Sequence, residues 1–299
     1  MELATLPPPE ALFNLKPRLM KTPREQTKFW RADDIGQVDL LKATYVTHAF
    51  AKHTHDGYVI GVIEDGVEAF EYRGETHHAP AGSVVVINPD EVHTGYAAAE
   101  DGWVYRTLYP EADLLKQAVA EMRDSSGYYP YFTEPVIHDP RLTRLVQQLH
   151  RTLERSPSAL ARETAFSEAL TYLIAHYADN PPQINTSDNE HYAVKVAQEF
   201  LEAHYADNIS LEQLASIVGL SPFYLNRVFS RTLGMPPHAY FTQIRVERAK
   251  ALLPLGLPLA QVAAETGFVD QSHLTRHFKR IVGVTPGQFA QQRNIVQYG

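Results

Sequence analysis

The sequence predicts a multidomain protein of mixed α and β class, in which a β-barrel or sandwich with two following helices precedes an all-α domain. Three observations support this division. Short apolar runs between turn residues fill residues 38–109, apolar residues recur at helical spacing after Asp139-Pro140, and residues 190–299 contain an internal duplication. A change in the apolar period from two to about 3.6 residues marks the passage from strands to helices.

The β-rich part is predicted from its turn signals and its β-branched residues. Asp65-Gly66, Pro80-Ala81-Gly82 and Asn88-Pro89-Asp90 separate the apolar runs at strand-like spacing. The strongest predicted strands, 58–63 and 83–87, are rich in valine and isoleucine, which pack well on a pleated surface. These features indicate an all-β sandwich or barrel.

Two amphipathic helices are predicted after the strands, because their apolar residues fall on one face of each helix. One stripe consists of Leu142, Leu145, Val146, Leu149 and Leu153, and the other of Ala165, Phe166, Ala169, Leu170, Leu173 and Tyr177. Either both stripes cover the barrel, or the first stripe partly meets its copy in a dimer. The sequence alone does not separate these two arrangements.

The composition is that of a soluble globular chain and excludes several classes of site. Of 299 residues, 44% are hydrophobic and 21% are charged, as in ordinary folded domains. The chain has no cysteine, which excludes disulfides, thiolate catalysis and cysteine-bound zinc. We find no signal sequence and no apolar run of about 18 residues, so we expect a cytoplasmic protein without a membrane partner.

The charge is distributed unevenly along the chain. The net charge is −8, but from Glu190 onward ten basic residues face eight acidic ones, which gives +2 there and −10 before it. Two short segments carry a basic cluster of Arg227, Arg231, Arg276, Lys279 and Arg280. Salt screens fields beyond about 8 to 10 Å, so local charge decides, and the C-terminal domain permits binding to phosphates.

The duplication in residues 190–299 is carried by matched positions at nearly constant spacing. Leu211, Ala215 and Gly219 recur 48 residues later, and Leu225, Arg227, Phe229, Gly234 and Pro237 recur 49 residues later. A repeat this short is a supersecondary unit. Between the copies, Tyr240, Ile244, Ala249, Leu252 and Leu253 form a helical stripe that would hold the two units at a fixed separation.

Each copy has the pattern of a helix, a glycine turn and a second helix. In the first copy Ser210 is a helix N-cap, Gly219 takes the turn and Ser221-Pro222 starts the second helix. Its outward residues are then Phe223, Tyr224, Asn226, Arg227, Ser230 and Arg231, and those of the second copy are Gln271, Ser272, Thr275, Arg276 and Lys279. Arginine and asparagine exposed on a second helix are typical of helices that contact base edges in the major groove of double-stranded DNA. The alternative is an all-α domain with a solvated charged face, which the duplication disfavours.

These segments resemble the AraC/XylS family of transcription regulators over almost the whole chain. The similar stretches are ISLEQLA at 209–215, LSPFYLNRVF at 220–229, GMPP at 234–237, RVERAK at 245–250, AAETGF at 263–268, LTRHFK at 274–279 and GVTP at 283–286. The resemblance implies base contacts from Phe223, Asn226 and Arg227 in the first unit and from Gln271, Ser272, Thr275 and Arg276 in the second. One departure is Phe289, where the family usually has tyrosine.

The first domain resembles the cupin barrel that this family uses to bind an effector, through His53-Thr54-His55, the turns named above and residues 88–93. Cupin metal sites take two histidines from the first motif, a glutamate a few residues later and a histidine from the second motif. Val59 and Ile60 stand where the glutamate is expected, so the ligand set is incomplete and we predict no metal and no cofactor. For His53, His55 and His93, three alternatives stay open: hydrogen bonding in a pocket, a three-histidine metal site, and a surface or core position.

Two functions from different classes follow. In the first, which we favour, the chain is a DNA-binding regulator and not an enzyme. Its cupin-like barrel binds a small organic effector through His53, His55, Tyr58, His93 and Tyr105, and no residue is assigned a catalytic role. As in the family, we expect an activator that is a homodimer and contacts RNA polymerase. In the second, the barrel is a metal-dependent oxygenase or isomerase fused to a DNA-binding domain.

The predicted domain boundaries follow from these segments. Residues 1–28 form an N-terminal arm, 29–178 the cupin-like domain for effector binding and dimerisation, 179–189 a polar linker with two prolines, and 190–299 the double helix-turn-helix domain with its linking helix. Arg231 and Lys279 complete the predicted DNA-binding set.

Overall fold

Strands and helices follow one another in the predicted order. The computed structural model describes residues 25–123, 126–182 and 190–296. The strands are β1 (Gln26–Ala32), β2 (Val38–Tyr45), β3 (Ala49–His53), β4 (Val59–Tyr72), β5 (Glu75–Pro80), β6 (Val84–Ile87), β7 (His93–Ala97), β8 (Trp103–Tyr109) and β9 (Val136–Ile137). Three helices belong with them, namely α1 (Ala112–Arg123), α2 (Pro140–Arg155) and α3 (Ala159–Tyr177).

The long strand β4 joins two antiparallel sheets. One sheet has the order β1-β2-β8-β4-β6-β9, and in the other β7 lies between β3 and β4, which also pairs with β5. The first half of β4 pairs with β6 and its second half with β5. Gly66 lies between the halves with φ at 72°, and a Cβ there would lie 2.1 Å from the Gly102 carbonyl oxygen. Only glycine fits this bend.

The helices α1 to α3 cover one face of the barrel. Leu142, Val146, Leu149 and Leu153 of α2 are buried in one apolar core with Ile60 and Val62 of β4. The chain therefore buries most of the first predicted stripe against its own barrel. Of the two predicted arrangements, this is the one in which the helices cover the barrel.

The all-α domain consists of seven helices among the described residues. They are α4 (Glu190–Ala203), α5 (Leu211–Val218), α6 (Pro222–Leu233), α7 (Pro237–Leu252), α8 (Leu259–Glu265), α9 (Gln271–Val282) and α10 (Pro286–Val296). The predicted caps are present: Ser210 forms a capping box with Gln213, and Ser221 accepts from the N–H of Tyr224. Both units, α5 with α6 and α8 with α9, are helix-turn-helix motifs.

The linking helix α7 is tied to the loop before the first unit by Arg245, which also lies beside the turn of the second unit. Its Nε donates to the carbonyl oxygen of Tyr205 and its Nη2 to that of Asp207, both at 2.7 Å. Gly267, in the turn of the second unit, has φ at 73°, and a Cβ there would lie 2.9 Å from the same guanidinium. One side chain thus holds the loop after α4 and meets the turn before α9.

Two predicted boundaries fall partly outside the described residues. The arm, residues 1–28, lies outside them up to residue 24, and residues 26–28 belong to β1, where Gln26 pairs with Thr44. Of the linker, residues 183–189 lie outside the described residues.

No helix in the part of the chain described here is both long and apolar enough to cross a membrane.

A buried ion pair network fixes α2 to the barrel. Arg106 of β8 is 3% exposed. Its Nε lies 2.9 Å from Glu64 Oε2 and its Nη1 lies 3.1 Å from Glu154 Oε2. Arg151 also pairs with Glu64, at 2.8 Å, but half of its side chain is exposed. Removing one member of a buried pair leaves an uncompensated charge, which is far costlier than losing an exposed pair.

We therefore expect Arg106→Met to lower the free energy of unfolding by about 3 kcal/mol or more, because Glu64 and Glu154 lose their buried partner. Urea denaturation of the full chain measures the change. The matched variant Arg151→Met removes the exposed arginine from the same carboxylate and should cost less than about 1 kcal/mol. Equal losses in the two variants would contradict the importance of the buried pair.

Candidate effector pocket and nucleic-acid interface

A small pocket of about 70 Å³ opens inside the barrel. Alternate residues of the strands line it, since side chains along a strand point in turn to opposite faces. The polar lining residues are His53, His55, Glu68, His93, Thr94, Tyr105, Thr107 and Tyr109, and apolar ones include Phe50, Phe70, Val85 and Ile87. Four of the five predicted effector residues therefore meet in one cavity.

The exception is Tyr58, for which the prediction is wrong. Its side chain lies in the apolar core between barrel and helices, and its hydroxyl donates to the Pro130 carbonyl oxygen at 2.6 Å. Val59 and Gly61 line the pocket, so the residues with odd numbers at the start of β4 point inward, before the register shift between Ile63 and Asp65. That alternation is visible in the sequence and would have excluded Tyr58. It would also have added Thr107 and Tyr109 to Tyr105.

Three histidines face one another where β3 ends and β7 begins. His53 Nε2 lies 3.2 Å from His55 Nε2, and the rings of His53 and His93 have centroids 4.3 Å apart. Nδ1 of His53 lies 2.8 Å from the Ala51 carbonyl oxygen and Nδ1 of His93 lies 3.0 Å from that of Glu91. Donation from Nδ1 to these carbonyls leaves Nε2 of His53 and His93 as an acceptor, which His53 directs at His55 and which in both residues has the form that can coordinate a ligand.

The three histidines fit a metal ion only in part. One ligand atom from each lies within 4.8 Å of the others, and two nitrogens bound to one tetrahedral metal lie about 3.3 Å apart. The position where a cupin site is expected to have its glutamate is occupied by Val59, and the carboxylate that does line the pocket, Glu68, is not part of the three-histidine cluster. His53, His55 and His93 could thus hold a divalent transition metal as a three-ligand site, where it would attract an anionic group of a ligand.

Two further polar groups, Thr107 and Glu68, line the pocket. Thr107 is 1% exposed and its hydroxyl has no hydrogen-bond partner among the described residues. A Cβ on Gly61 would lie 3.1 Å from that hydroxyl, so the glycine leaves space beside it. Burial raises the pKa of Glu68 to about 8, which leaves its carboxyl mostly protonated at neutral pH. An unpaired hydroxyl and a neutral carboxyl are suited to a hydrogen-bonding ligand.

The second recognition helix, α9, presents its predicted residues to solvent. Gln271, Ser272, Arg276 and Lys279 are exposed, and Thr275 is partly exposed. Together they line a shallow open surface, while Leu274 and Phe278 are buried as predicted. Asp270 caps the helix by accepting from the N–H of His273 at 2.7 Å.

The first recognition helix, α6, is covered instead. Phe223 is 9% exposed and Asn226 is 2% exposed, so their predicted outward placement is wrong in this arrangement. Phe223 packs in the core of the first domain, with its ring 6.5 Å from that of Phe166. Asn226 Nδ2 donates to the Thr164 carbonyl oxygen at 3.4 Å. Helical period identifies the face turned away from its own unit, but it does not show that a second domain covers that face.

Two carboxylates of the first domain reach the helix starts of the first unit. Glu121 of α1 accepts from the N–H of Phe223 at 3.2 Å. Glu163 of α3 accepts from the N–H groups of Leu211 and Glu212. A carboxylate at a helix N-terminus is stabilised by unpaired N–H groups and by the helix dipole.

The remaining predicted residues of α6 face a groove between the domains. Arg227 is partly buried, with its guanidinium 4.7 Å from the Tyr224 ring centroid. Arg231 forms an ion pair with the buried Glu190 of α4. Both arginines line the groove opposite Glu168 of α3. A helix enclosed in this way cannot enter a major groove, which must admit the whole helix.

Comparison with known proteins agrees with both halves of this architecture. Residues 35–170 match the model of the AraC-like ligand binding domain, and residues 214–292 match that of a helix-turn-helix domain. The uncharacterized HTH-type transcriptional regulator YbfI of Bacillus subtilis (strain 168) is 33% identical over 251 residues, which cover 84% of this chain and 90% of YbfI. The HTH-type transcriptional activator RhaS of Enterobacter sp. (strain 638) is 25% identical over 258 residues, covering 82% and 89%.

Among solved structures, an AraC-type transcriptional regulator from Chromobacterium violaceum is 26% identical, with a TM-score of 0.34, and covers 38% of this chain and 100% of that one. The family models and the curated relatives confirm the resemblance found in the sequence. They give no support to a metal-dependent enzyme. The chain therefore belongs to the AraC family of transcription regulators and joins a ligand-binding domain to a helix-turn-helix DNA-binding domain.

Proposed function

We propose that this regulator responds to a small polar effector in the barrel pocket by uncovering its first recognition helix. One observation carries the proposal: Phe223 and Asn226 on the predicted reading face of α6 are buried against α1 and α3, whereas the predicted reading face of α9 is exposed. A ligand shifts such an equilibrium only through a difference in its affinity for the two arrangements. The effector must therefore bind the open arrangement more tightly.

A short path along the chain supports a link between the pocket and α6. Strand β8 contributes Tyr105, Thr107 and Tyr109 to the pocket and ends at Tyr109. Helix α1 begins three residues later, at Ala112, and carries Glu121, which holds the N–H of Phe223. A ligand that displaces the end of β8 would move α1 and loosen this contact.

The pocket supports an effector of small size with hydroxyl or carboxylate groups. Its volume of about 70 Å³ compares with about 30 Å³ for one water molecule in the liquid, so anything as large as a sugar requires the pocket to widen. His53, His55, His93, Glu68 and Thr107 offer both donors and acceptors. Phe50 and Phe70 supply an apolar wall.

Several further properties belong to the same proposal. The relatives named RhaS are called activators, which supports activation and hence contact with RNA polymerase. We propose a homodimer, because linking two copies raises the affinity for paired sites on DNA through effective concentration. We also propose a cytoplasmic location, where a regulator has access to double-stranded DNA.

One prediction of this proposal concerns the contact of Glu121 and Glu163 with the helix starts of the first unit. We expect Glu121→Ala with Glu163→Ala to raise the affinity for operator DNA about tenfold or more without effector. Hydrogen bonds to charged groups are worth about 1.5 to 3 kcal/mol each, and about 1.4 kcal/mol is a factor of ten. The operator is first selected from a random duplex pool with the full chain, and fluorescence anisotropy then measures binding.

The matched control is Glu75→Ala with Glu100→Ala, which removes the same charge from exposed positions on the barrel. Because Ser210 and Ser221 still cap α5 and α6, the helices of the unit keep their own starts. An unchanged operator affinity in the variant with Glu121→Ala and Glu163→Ala, or an equal rise in the control, would contradict the proposal.

A second prediction concerns the exposed helix. Arg276→Ala should cost about 1 to 3 kcal/mol in operator affinity and relax the preference at one base pair, because arginine reads a base edge. Lys279→Ala should weaken all sequences alike and lower the salt slope by about one, as expected for a phosphate contact. Selection from a random pool with each variant distinguishes these effects. Unaltered preference in Arg276→Ala would show that α9 does not read bases through this residue.

A third prediction uses the buried carboxyl of the pocket. The folded-state pKa of Glu68, about 8, lies above its ordinary value of 4.5. Between these values the folded chain holds a proton that the unfolded chain releases, so this group lowers the free energy of unfolding as the pH rises. Urea denaturation between about pH 5 and pH 8 should therefore show a weaker pH dependence in Glu68→Gln than in the wild type. Glu75→Gln, at an exposed position, should behave as the wild type does, and identical curves for all three proteins would refute the assignment.

A further inference from the structure

A basic cleft lies between α2 of the first domain and α9 of the second. It encloses about 740 Å³ and contains five arginines, namely Arg144, Arg151, Arg155, Arg276 and Arg280. Asp270 is the one carboxylate among its described lining residues, and it is engaged as the cap of α9. Burial lowers the pKa of His277 to about 3 and that of His238 to about 4, so these lining rings add no charge at neutral pH. The cleft thus carries a large excess of positive charge.

Three of these arginines form a stripe on the exposed face of α2, and we call Arg144, Arg151 and Arg155 the arginine stripe. At about 1.5 Å per residue, the stripe is about 16 Å long. Arg144 is exposed and forms no ion pair with a described residue. The Arg155 side chain is 70% exposed, and its Nε lies 3.9 Å from the Glu154 carboxylate. Arg144 and Arg155 are therefore accessible to solvent, whereas Arg151 is paired with Glu64 at 2.8 Å and half exposed.

The cleft is continuous with the exposed reading surface of α9. Arg276 and Arg280 line both, together with Gln271, Thr275 and Lys279 on the side of the reading surface. A helix in a major groove about 12 Å wide has a phosphate backbone on either side of it. A basic helix beside α9 is therefore placed where one of those backbones runs.

We propose that the arginine stripe of α2 contacts the phosphate backbone of DNA, so that the effector-binding domain itself holds the duplex beside the second recognition helix. Charge spread along about 16 Å suits a linear polyanion, whereas a compact ligand would need donors that converge on one point. This inference rests on the proposed function, because it requires α9 to bind DNA. In this arrangement the chain engages DNA through α9 and α2 while α6 is still covered.

The test compares the full-length wild type with Arg144→Gln combined with Arg155→Gln, on a selected operator duplex and on a scrambled duplex, without effector. Arg151 is left in place because it pairs with Glu64. We expect affinity for both duplexes to fall by the same factor, about five- to tenfold near 0.1 M salt, and the salt slope to fall by about 1.8, since each phosphate contact contributes about 0.9. The base preference should not change.

The matched control is Lys52→Gln combined with Lys116→Gln, which removes the same charge from positions outside the cleft. Unchanged affinity and slope in the stripe variant, or an equal fall in the control, would overturn the inference. Arg276→Ala is measured in parallel. If it alters operator binding while the stripe variant does not, the inference alone fails; if no protein prefers the operator, the proposed function fails.

A compact anion is the remaining occupant to distinguish, and sodium tripolyphosphate serves as the probe. Tripolyphosphate would be assigned to the cleft if it binds the wild type saturably, does not bind the stripe variant, and displaces neither duplex from the wild type. That result would overturn the inference. Displacement of both duplexes only as the ionic strength rises, to the same extent as with sodium chloride, supports a backbone contact.

Discussion

The arrangement of the whole chain depends on the packing of α6 on α1 and α3. It joins the two domains and covers the first recognition helix. Apolar side chains cross between the domains: Phe223 of α6 lies in the core of the first domain, and Leu160 of α3 lies in the core of the first helix-turn-helix unit. Carboxylates of Glu121 and Glu163 add bonds to helix starts. Interfaces between domains of one chain are commonly of this mixed kind and permit relative motion of the domains.

The two recognition helices differ in their exposure to solvent because the two copies of the duplicated sequence have different residues on their outward faces. Phe223 and Tyr224 in α6 correspond to Ser272 and His273 in α9. Burying an aromatic ring is favourable by about 2 kcal/mol or more, whereas burying an unpaired hydroxyl is costly. This difference explains why the first copy packs against the effector-binding domain while the second stays in solvent. Arg227 and Arg276 are the same residue in the two copies, and only their surroundings differ.

Local patterns in the sequence predicted most of the fold. Caps at Ser210 and Ser221 and the valine-rich run at 83–87 depend on neighbours in the chain, and the structure has these elements where they were expected. In the pocket, strand alternation is sufficient to exclude Tyr58, whose neighbour Val59 points inward. Glu68 could not be found in this way, because only the pairing of distant strands brings it into the same pocket as Thr107. The covering of Phe223 and Asn226 depends on contacts between domains, which no period within a helix records.

The fastening of α7 by Arg245 has a consequence for the DNA that this protein controls. One guanidinium holds the loop after α4 and lies beside the turn before α9, so it restricts the movement of the two recognition helices relative to each other. A single base pair turns a duplex by about 35°. If both recognition helices read one duplex, a base pair gained or lost between the two recognised blocks would therefore turn one block away from its helix.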